Sequence, residues 1–409
     1  MLTPHEALER ILESVEPLRE VERVPLQAAS GRVTAAPVDS DVDLPPFEKS
    51  AMDGFAVCAA DFAEGEPGAE RSLPRVGESR AGTPWEGVLE RGACVAIYTG
   101  AELPRGADGI VIVEHTRESG ARDAAGNPLI ELRGPVEPGQ HVCHRGQDLA
   151  VGARVFEPGR RVRGVDLALL AAVGAEPLAV VRRPRVAILT SGDELVPPTE
   201  RPGPGQIREG NTLHLAAMSV REGAEVVRRG VVADDPAALR EAFADALAGC
   251  DVLLTTGGVS MGRYDLVGEA LAAVGVEARF HRVAIKPGKP LWFGVRGRVP
   301  VFALPGNPVS CLVNHAVFVA PALRKLGGEV GPLPTRRLGR WEGSPVRPNP
   351  REQYLPVRRL RGPDGVERLE SVRWNGSADV VGIARAKALA VVAADTALER
   401  GALVPWFEL

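Results

Sequence analysis

The chain has 409 residues, more than the ~250–300 at which a single hydrophobic core stops growing, so several domains are expected. Hydrophobic residues make up 44% and charged residues 25% of the sequence, which excludes a wholly disordered or collagen-like protein. The formal net charge of −4 excludes a global basic field of the kind that binds nucleic acid, although a local anion site stays open.

The cysteines and the apolar runs bear on where the protein works. Five cysteines are widely separated and form no Cys-x-x-Cys pair, which predicts reduced thiols in a cytoplasmic protein. The longest apolar stretch, residues 167–175, is far shorter than the ~20 residues that a membrane span needs. We therefore predict neither a membrane anchor nor a nucleic-acid partner.

The first predicted element is an amphipathic helix over residues 4–18, with Thr3 as its cap and Pro4 at its first position. Residues 42–142 then show short β runs separated by glycine, proline and charge, which predicts a β-rich module.

Residues 143–184 mix turns with one helix at 165–173 and could pack back on the opening helix. The β-rich module is therefore predicted to be an insertion in a small, helical and extended linking domain of residues 1–41 and 143–184.

Residues 185–327 alternate buried-strand runs with amphipathic helices, which predicts a doubly wound, mainly parallel α/β domain. The predicted strands are 185–190, 224–232, 251–256, 277–285, 291–294 and 299–304. The helices with recognisable starts are opened by Asn211, by Asp235 with Pro236, and by Asn307 with Pro308. Residues 328–409 contain few helical patterns and are predicted to form a separate all-β domain. The predicted fold class is thus multidomain, α/β and β.

Polar residues follow the strands of the α/β segment, at the edge where open parallel sheets bind their ligands. These loops are residues 191–194, 234–235, 257–260, 286–290 and 305–308. Their glycines allow backbone N–H groups to approach a phosphate or another oxyanion. A tight loop is the commoner explanation of one such turn, but several turns on one edge favour an anion site.

Charged residues in the same loops suit an anionic ligand. Lys286 and Lys289 are two of only five lysines in the chain, and they lie on a proline-stiffened loop. Glu194, Asp234 and Asp265 are candidate ligands for Mg²⁺, which takes one or two carboxylates together with substrate oxygens.

Other acids have structural explanations. Asp235 precedes Pro236 and is typical of a helix cap, and Asp193 suits a turn. In the β-rich module, Asp53 is equally compatible with a turn and with a functional role. No histidine cluster has metal-ligand spacing and no Gly-x-Ser-x-Gly motif occurs, which disfavours a histidine-bound metal site and a serine hydrolase.

The motifs together resemble those of the molybdopterin molybdenumtransferase family, called MoeA in bacteria and present in animals as the E domain of gephyrin. The strings that carry the resemblance are PPFEKSAMDGFAV (45–57), TGAELPRGAD (99–108), LTSGDEL (189–195), GQIREGNTLHL (205–215), TTGGVSMGRYD (255–265), AIKPGKP (284–290) and ALPGNPVS (303–310). They follow the family's order through about two-thirds of the chain.

The resemblance implies an enzyme of molybdenum cofactor biosynthesis that inserts molybdate into adenylylated molybdopterin, with Mg²⁺ as cofactor, and releases AMP. It also implies a homodimer in which Asp53 of one subunit completes the active site of its partner. The further partners it implies are a molybdopterin adenylyltransferase and apo-molybdoenzymes.

Carried over position by position, the resemblance implies catalytic roles for Asp53, Glu194, Asp234, Asp265 and Lys286. Glu194, Asp234 and Asp265 would contact either Mg²⁺ or molybdate. It implies substrate binding for Thr99, Pro305 and Pro308, and, on a looser match, for Arg351 and Ser377. The other loop residues predicted to bind substrate are Ser191, Gly192, Gly257, Gly258, Ser260, Arg282, Lys289, Gly306 and Asn307.

The sequence departs from the family pattern at a few positions. Arg282 stands where the family often has Lys, and the two cations differ in shape and hydration. Glu209 and Gly210 replace the commoner Asp and small polar residue before Asn211. None of these changes removes a carboxylate or a cation from the predicted site.

Three alternatives stay open. A scaffold or carrier that binds molybdopterin without turnover could lose the three carboxylates, and all three are present. A different nucleotide hydrolase or adenylyltransferase with the same α/β domain would lack the segment PPFEKSAMDG. Tungstate could take the place of molybdate, because the two oxyanions are nearly alike in size and charge.

Overall fold

The computed structural model describes residues 1–63, 70–258, 266–362 and 365–409, and the chain divides into two compact units. The first unit comprises Met1–Ala36, Pro158–Arg163 and Ala179–Leu409, and the second comprises Pro37–Glu157 and Gly164–Leu178. None of the described helices is long and apolar enough to cross a lipid bilayer. The four domain boundaries and the cytoplasmic location stay predictions.

The described helices are α1 (Pro4–Glu13), α2 (Asp166–Ala172), α3 (Asn211–Arg221), α4 (Pro236–Gly249), α5 (Leu266–Ala273), α6 (Pro308–Asn314), α7 (Ala320–Leu326) and α8 (Val380–Ala384). A π-helical turn, His315–Val319, joins α6 to α7.

The strands before the α/β segment are β1 (Val21–Val24), β2 (Val38–Asp39), β3 (Lys49–Ser50), β4 (Gly54–Val57), β5 (Glu70–Ser79), β6 (Cys94–Ile97), β7 (Gly109–Ile112), β8 (Thr116–Arg122), β9 (Pro128–Arg133), β10 (Val142–Cys143), β11 (Arg154–Phe156) and β12 (Leu178–Val181). Those that follow are β13 (Arg185–Ser191), β14 (Leu195–Val196), β15 (Ile207–Arg208), β16 (Glu225–Val232), β17 (Val252–Thr256), β18 (Glu277–His281), β19 (Ile285–Lys286), β20 (Trp292–Arg296) and β21 (Val299–Leu304). The C-terminal strands are β22 (Arg337–Trp341), β23 (Glu352–Arg361), β24 (Glu367–Ser371), β25 (Ala388–Val392) and β26 (Leu403–Glu408).

The central sheet of the first unit has the strand order β16-β13-β17-β21-β20-β18. The first four strands are parallel, and β20 runs antiparallel to both of its neighbours. Along β13, Val186 and Ile188 pack with α3, α6 and α7, whereas Ala187 and Leu189 pack with α4 and α5. Helices therefore cover both faces of the sheet, which confirms the predicted doubly wound, mainly parallel α/β arrangement.

The C-terminal strands form a barrel. Their order is β19-β23-β24-β22-β26-β25, and the pairing of β23 with β25 closes the sheet. Trp341 and Trp406 are almost completely buried in its core, while Tyr354 and Phe407 join the core beneath the α/β sheet. The predicted all-β C-terminal domain is confirmed, with the short helix α8 as an addition.

One predicted strand, residues 277–285, is divided between two sheets. β18 ends at His281 and belongs to the α/β sheet, whereas Ile285 lies in β19, which pairs with β23 of the barrel. Arg282, between them, has a φ of 74°, a left-handed conformation that does not occur within a regular strand. The prediction of one continuous strand was wrong, and the break places Lys286 beside Gln353 of the barrel.

α1 and α4 begin where their capping signals predict. The Thr3 hydroxyl accepts the N–H of Glu6 and the Glu6 carboxylate accepts the N–H of Thr3, at 3.2 and 2.8 Å. Asp235 caps α4 through two backbone N–H groups. α1 ends at Glu13 and not at residue 18, because Pro17 lacks an N–H and disfavours a helical residue before it.

α3 begins with a different cap from the predicted one. Gly210 occupies the cap position, and Asn211 makes no capping hydrogen bond, so the prediction of an Asn211 cap was wrong. Glu209 satisfies the first turn instead, since its carboxylate accepts the N–H and the hydroxyl of Thr212 at 2.8 and 2.7 Å. The amide of Asn211 is thereby left for other contacts.

The second unit is built on a sheet with the strand order β7-β4-β6-β5-β9-β8. Ala56 and Ile110 point into one core, and their chain neighbours Val57 and Val111 point into another. Alternation of this kind is what a sheet buried on both faces requires. The prediction of a β-rich module is confirmed.

All five cysteines are free. Burial raises the pKa of Cys94 and of Cys311 to about 12, and that of Cys250 to about 11. These three thiols are therefore protonated at neutral pH.

A buried ion pair between α3 and α7 gives the first testable prediction. The Glu222 side chain is 5% exposed and accepts a hydrogen bond from Arg324 Nε at 2.6 Å. Replacing Glu222 by Ala leaves the largely buried guanidinium of Arg324 without its carboxylate, so we expect the free energy of unfolding to fall by about 3–5 kcal/mol. Urea denaturation measures this loss.

The matched control is Asp245→Ala. Asp245 pairs with Arg228 on the surface, with 68% of its side chain exposed, so its removal should cost less than about 1 kcal/mol. Equal losses in the two variants would contradict the role assigned to Glu222.

Candidate active site

Three of the predicted loops meet at the carboxyl edge of the α/β sheet. β13, β17 and β21 are parallel neighbours, so Ser191, Gly257 and Pro305 stand next to one another at their ends. A Cβ on Gly257 would come within 2.2 Å of the Ser191 carbonyl oxygen, and one on Gly306 would lie 3.7 Å from the Gly257 Cα. The turns approach this closely because no side chain separates them.

The backbone at this edge suits an anion. Gly257 and Gly258 have φ values of 92° and 61°, a conformation that favours glycine and turns successive N–H groups to one side. Pro308, in the first turn of α6, follows the third turn and adds the start of a helix. The Ser191 hydroxyl is buried and has no hydrogen-bond partner in the described part of the chain.

Glu194 and Asp234 are exposed beyond the ends of β13 and β16. The Glu194 carboxylate folds over Gly192, where a Cβ would lie 2.6 Å from Oε2. The N–H of Asp234 donates to Asp193 Oδ1 at 3.3 Å, which joins the two loops and accounts for Asp193 structurally.

The described residues contain no group of three or more acidic, histidine or cysteine side chains that could hold a metal ion by themselves. Single exposed carboxylates such as Glu194 and Asp234 suit Mg²⁺ that also takes substrate oxygens, and they do not form a closed protein cage.

Positive charge comes from the segment around β19. Lys286 and Lys289 are exposed on either side of Gly288, whose carbonyl accepts a hydrogen bond from Asn314 at 3.1 Å. Arg282 stands at the start of the same segment. Within the described ranges, none of these three cations has a carboxylate within 4 Å. Their charge is therefore free to attract an anion.

Two residues of the C-terminal segment contact these loops. The Ser377 hydroxyl accepts a hydrogen bond from Asn307 Nδ2 at 2.9 Å, and the Ser377 carbonyl accepts the N–H of Val309 at 3.0 Å. Arg351 donates to the carbonyl of Ile285 at 3.3 Å. The structure thus places both loosely matched residues against the predicted loops, and their roles in binding stay predictions.

Asp53 and Thr99 lie together in the second unit. Asp53 Oδ1 accepts the backbone N–H and the hydroxyl of Thr99, at 2.7 and 2.8 Å. The backbone hydrogen bond, and then that of the hydroxyl, lower the pKa of Asp53, and both residues stay exposed. A turn-forming Asp bonds to backbone a few residues away, whereas Thr99 is 46 residues away, so Asp53 is not a local turn former. Its hydrogen bonds join two distant segments, and its catalytic role stays a prediction.

Two predicted residues, Ser260 and Asp265, lie outside the described residues. One residue that sequence reasoning missed is Asn211. Its Nδ2 donates to the Gly306 carbonyl at 2.7 Å and to Thr256 Oγ1 at 3.1 Å. The sequence signal that could have identified Asn211 is Gly210. Glycine can itself occupy the cap position, so the helix does not need Asn211 as its cap.

Glycine turns, a helix start and exposed carboxylates at the carboxyl edge of an α/β sheet are typical of enzymes that bind phosphorylated or oxyanionic ligands. Comparison with known proteins narrows this class. Residues 2–174 match the MoeA N-terminal region (domains I and II), and residues 187–325 match a probable molybdopterin binding domain.

Relatives are similar along most of their length. A molybdopterin molybdenumtransferase of Nostoc sp. is 38% identical over 76% of this chain and 70% of its own. Molybdopterin molybdenumtransferase 2 of Mycobacterium tuberculosis is 36% identical over 81% of each chain. The crystal structure of a molybdopterin biosynthesis MoeA protein from Pyrococcus horikoshii covers both chains completely with a TM-score of 0.84 and 26% identity.

The chain therefore belongs to the molybdopterin molybdenumtransferase family, as its motifs predicted. It is an enzyme of molybdenum cofactor biosynthesis.

Proposed function

We propose that the protein inserts molybdate into adenylylated molybdopterin and releases AMP. The observation that carries the proposal is that the exposed carboxylates of Glu194 and Asp234 follow strands at the edge that carries the glycine turns, while Lys286 and Lys289 have no carboxylate of a described residue within 4 Å. A site that only bound an anion would be weakened by carboxylates at the same edge. Carboxylates beside an anion site make sense when a divalent cation is bound there with the substrate.

Two kinds of anion need separate donors in this reaction. The substrate brings phosphates, and molybdate is a tetrahedral dianion. Lys286 and Lys289 supply compact positive charge, while the turns at Gly257 and Gly306 supply backbone N–H donors. Release of AMP breaks the phosphoanhydride bond between two phosphates as an oxygen of water or of molybdate bonds to one phosphorus. The other phosphate leaves with the bonding electron pair, so charge grows on it. The lysines stabilise that charge most if they lie beside it when the bond breaks.

Glu194 and Asp234 would hold Mg²⁺, and when bound this ion would neutralise phosphate charge and polarise the phosphorus–oxygen bond. Asp265 is a third candidate ligand from the sequence. The protein's own contribution is to keep the two carboxylates at neighbouring strand ends, since β16 and β13 are paired in register there.

We further propose a homodimer in which Asp53 of one subunit completes the active site of its partner. Asp53 is exposed, ionised and fixed by two donors from Thr99, and it forms no ion pair with a described residue. The family resemblance supports the shared arrangement. A molybdopterin adenylyltransferase would supply the substrate, and apo-molybdoenzymes would receive the product.

The test is a reaction of the purified protein with adenylylated molybdopterin, Mg²⁺ and molybdate, in which AMP and molybdenum cofactor are measured together. We expect equal amounts of both products, and loss of both when EDTA removes the metal. Binding without AMP release would favour a scaffold or carrier. AMP release without cofactor would favour a nucleotide hydrolase, and a parallel reaction with tungstate tests the choice of oxyanion.

The hydrogen bonds of Asp53 predict a pH effect. Replacing Thr99 by Val removes one donor, so we expect the pKa of Asp53 to rise toward its ordinary value. A carboxylate with a lowered pKa keeps its charge above that pKa and loses it as the pH falls through it. The acid limb of the AMP-release profile should therefore move to higher pH in Thr99→Val.

Tyr98→Phe is the matched control for this shift. The Tyr98 hydroxyl donates to Glu78 at 2.6 Å and has no hydrogen bond with Asp53. Its removal should leave the acid limb in place. An unchanged limb in Thr99→Val would show that the charge of Asp53 does not limit the reaction.

A further inference from the structure

We propose that Asn211 is a positioning residue of the active site, which holds the loop after β17 and the loop after β21 in one arrangement. The inference rests on molybdopterin binding at this edge and deepens the proposed function. Asn211 stands at the start of α3, and its single amide nitrogen donates at 3.1 Å to Thr256 Oγ1, on the last residue of β17 before its loop, and at 2.7 Å to the Gly306 carbonyl in the loop after β21.

The two contacts of Asn211 belong to a small polar cluster under the turns. Thr256 Oγ1 donates onward to the Pro305 carbonyl at 3.4 Å, and the same carbonyl accepts a hydrogen bond from the Cys311 thiol at 2.7 Å. The peptide groups on either side of Gly306 are thus held by hydrogen bonds to their carbonyl oxygens. Fixing these carbonyls also fixes the direction of the N–H groups that follow them, and preorganised donors bind an anion better than donors that must reorient.

Helix capping does not explain Asn211. Glu209 already satisfies the N–H of Thr212, and Gly210 occupies the cap position. Many side chains are compatible with the first helical position, and asparagine is a poor helix former there.

Stability does not explain Asn211 either. Its Oδ1 is buried and has no hydrogen-bond partner in the part of the chain that the structure describes. An unpartnered buried acceptor costs free energy. A buried polar atom without a hydrogen-bond partner is expected mainly at functional sites, where a loss of stability is tolerated. The loops that Asn211 holds are the ones predicted to bind substrate.

The test uses two variants of Asn211. Asn211→Ala removes the amide, and Asn211→Asp keeps its size but replaces the NH₂ donor by an oxygen that repels the Gly306 carbonyl. We expect both variants to bind molybdopterin at least about tenfold more weakly than the wild type, with the Asp variant no better than the Ala variant. The melting temperature of Asn211→Ala should change by less than about 3 °C, because the amide contributes little to stability.

Thr212→Val is the matched control in the same helical turn. It removes a buried hydroxyl that donates to Glu209 at 2.7 Å, without touching either loop. We expect it to lower the melting temperature more than Asn211→Ala does and to leave molybdopterin affinity within about twofold of the wild type. Affinity is measured by titration with molybdopterin and turnover by AMP release, on the full-length protein.

Two results would overturn the inference: wild-type affinity and turnover in both Asn211 variants, or an equal loss of affinity in Thr212→Val. The titration also separates this inference from the proposed function. A wild-type protein that binds molybdopterin but releases no AMP would refute the proposed reaction, and the affinities of the variants would still decide the role of Asn211.

Discussion

Replacing Glu194 by Ala is expected to reduce AMP release by about 10²–10³-fold, the loss typical of a group that stabilises charge in a transition state. The side chain is exposed and makes no hydrogen bond to a described residue, so the free energy of unfolding should change by less than about 0.5 kcal/mol. If Glu194 holds Mg²⁺, Glu194→Gln should also raise the Mg²⁺ concentration needed for half-maximal rate. The rate is measured as AMP release across a Mg²⁺ titration, with thermal unfolding as the check on folding.

From its sequence position, we expect Asp265→Ala to cause a similar loss of AMP release.

Glu200→Ala is the matched control. Glu200 is an exposed acid on the chain segment between β14 and β15, and its hydrogen bonds with the described residues are made by its backbone alone. Removing it takes away the same charge from the same unit, so AMP release should stay within about twofold of the wild type. A Glu194→Ala protein that is folded and as fast as Glu200→Ala would remove Glu194 from the site.

Mixing Asp53→Ala protein with Glu194→Ala protein is expected to restore roughly a quarter of wild-type activity. If Asp53 serves the partner's site, each heterodimer has one intact site and one that carries both substitutions. Random exchange of subunits makes about half of the dimers heterodimeric, and half of their sites are intact. AMP release after subunit exchange measures the restoration, and native mass spectrometry measures the heterodimer fraction.

A second mixture, of Glu194→Ala with Lys286→Ala, is the control. Both residues belong to the first unit, so every site in the heterodimer keeps one substitution and no activity should return. If heterodimers form and the first mixture stays at the sum of its components, Asp53 serves its own subunit or has no part in the reaction. A protein that sediments as a monomer at full activity would refute the shared site altogether.

Much of the fold could be predicted from the sequence because its signals are local. The cap at Thr3, the cap at Asp235 and the apolar runs of the strands act over a few residues, and the alternation of strand and helix requires parallel neighbours. Parallel strands bring their carboxyl ends to one edge whatever their order. The loops that begin at Ser191, Gly257 and Pro305 were therefore predictable as one site before any strand order was known.

Other features depended on contacts between distant parts of the chain. A local turn and a contact with a distant segment leave the same local sequence around Asp53, and only the folded chain shows its hydrogen bonds to Thr99. The predicted strand through Arg282 breaks because its second half pairs with the barrel and not with the α/β sheet. The pattern of apolar residues does not show which sheet a segment joins. Ser377 reaches the site through Asn307, 70 residues earlier in the chain.

Asn211 shows most clearly the difference between features that local sequence predicts and features that depend on tertiary contacts. Its position near a helix start could be predicted from the sequence. The general preference of asparagine for the cap position then led to the wrong prediction that Asn211 caps α3. The prediction failed because Glu209 and Gly210 meet the needs of the helix, which leaves the amide to bond to Thr256 and Gly306. The sequence by itself determined the family, the strands and the loops that carry the chemistry, because these rest on local patterns. The tertiary structure alone decided which side chains hold those loops together, because hydrogen bonds between loops depend on distances that only the folded chain creates.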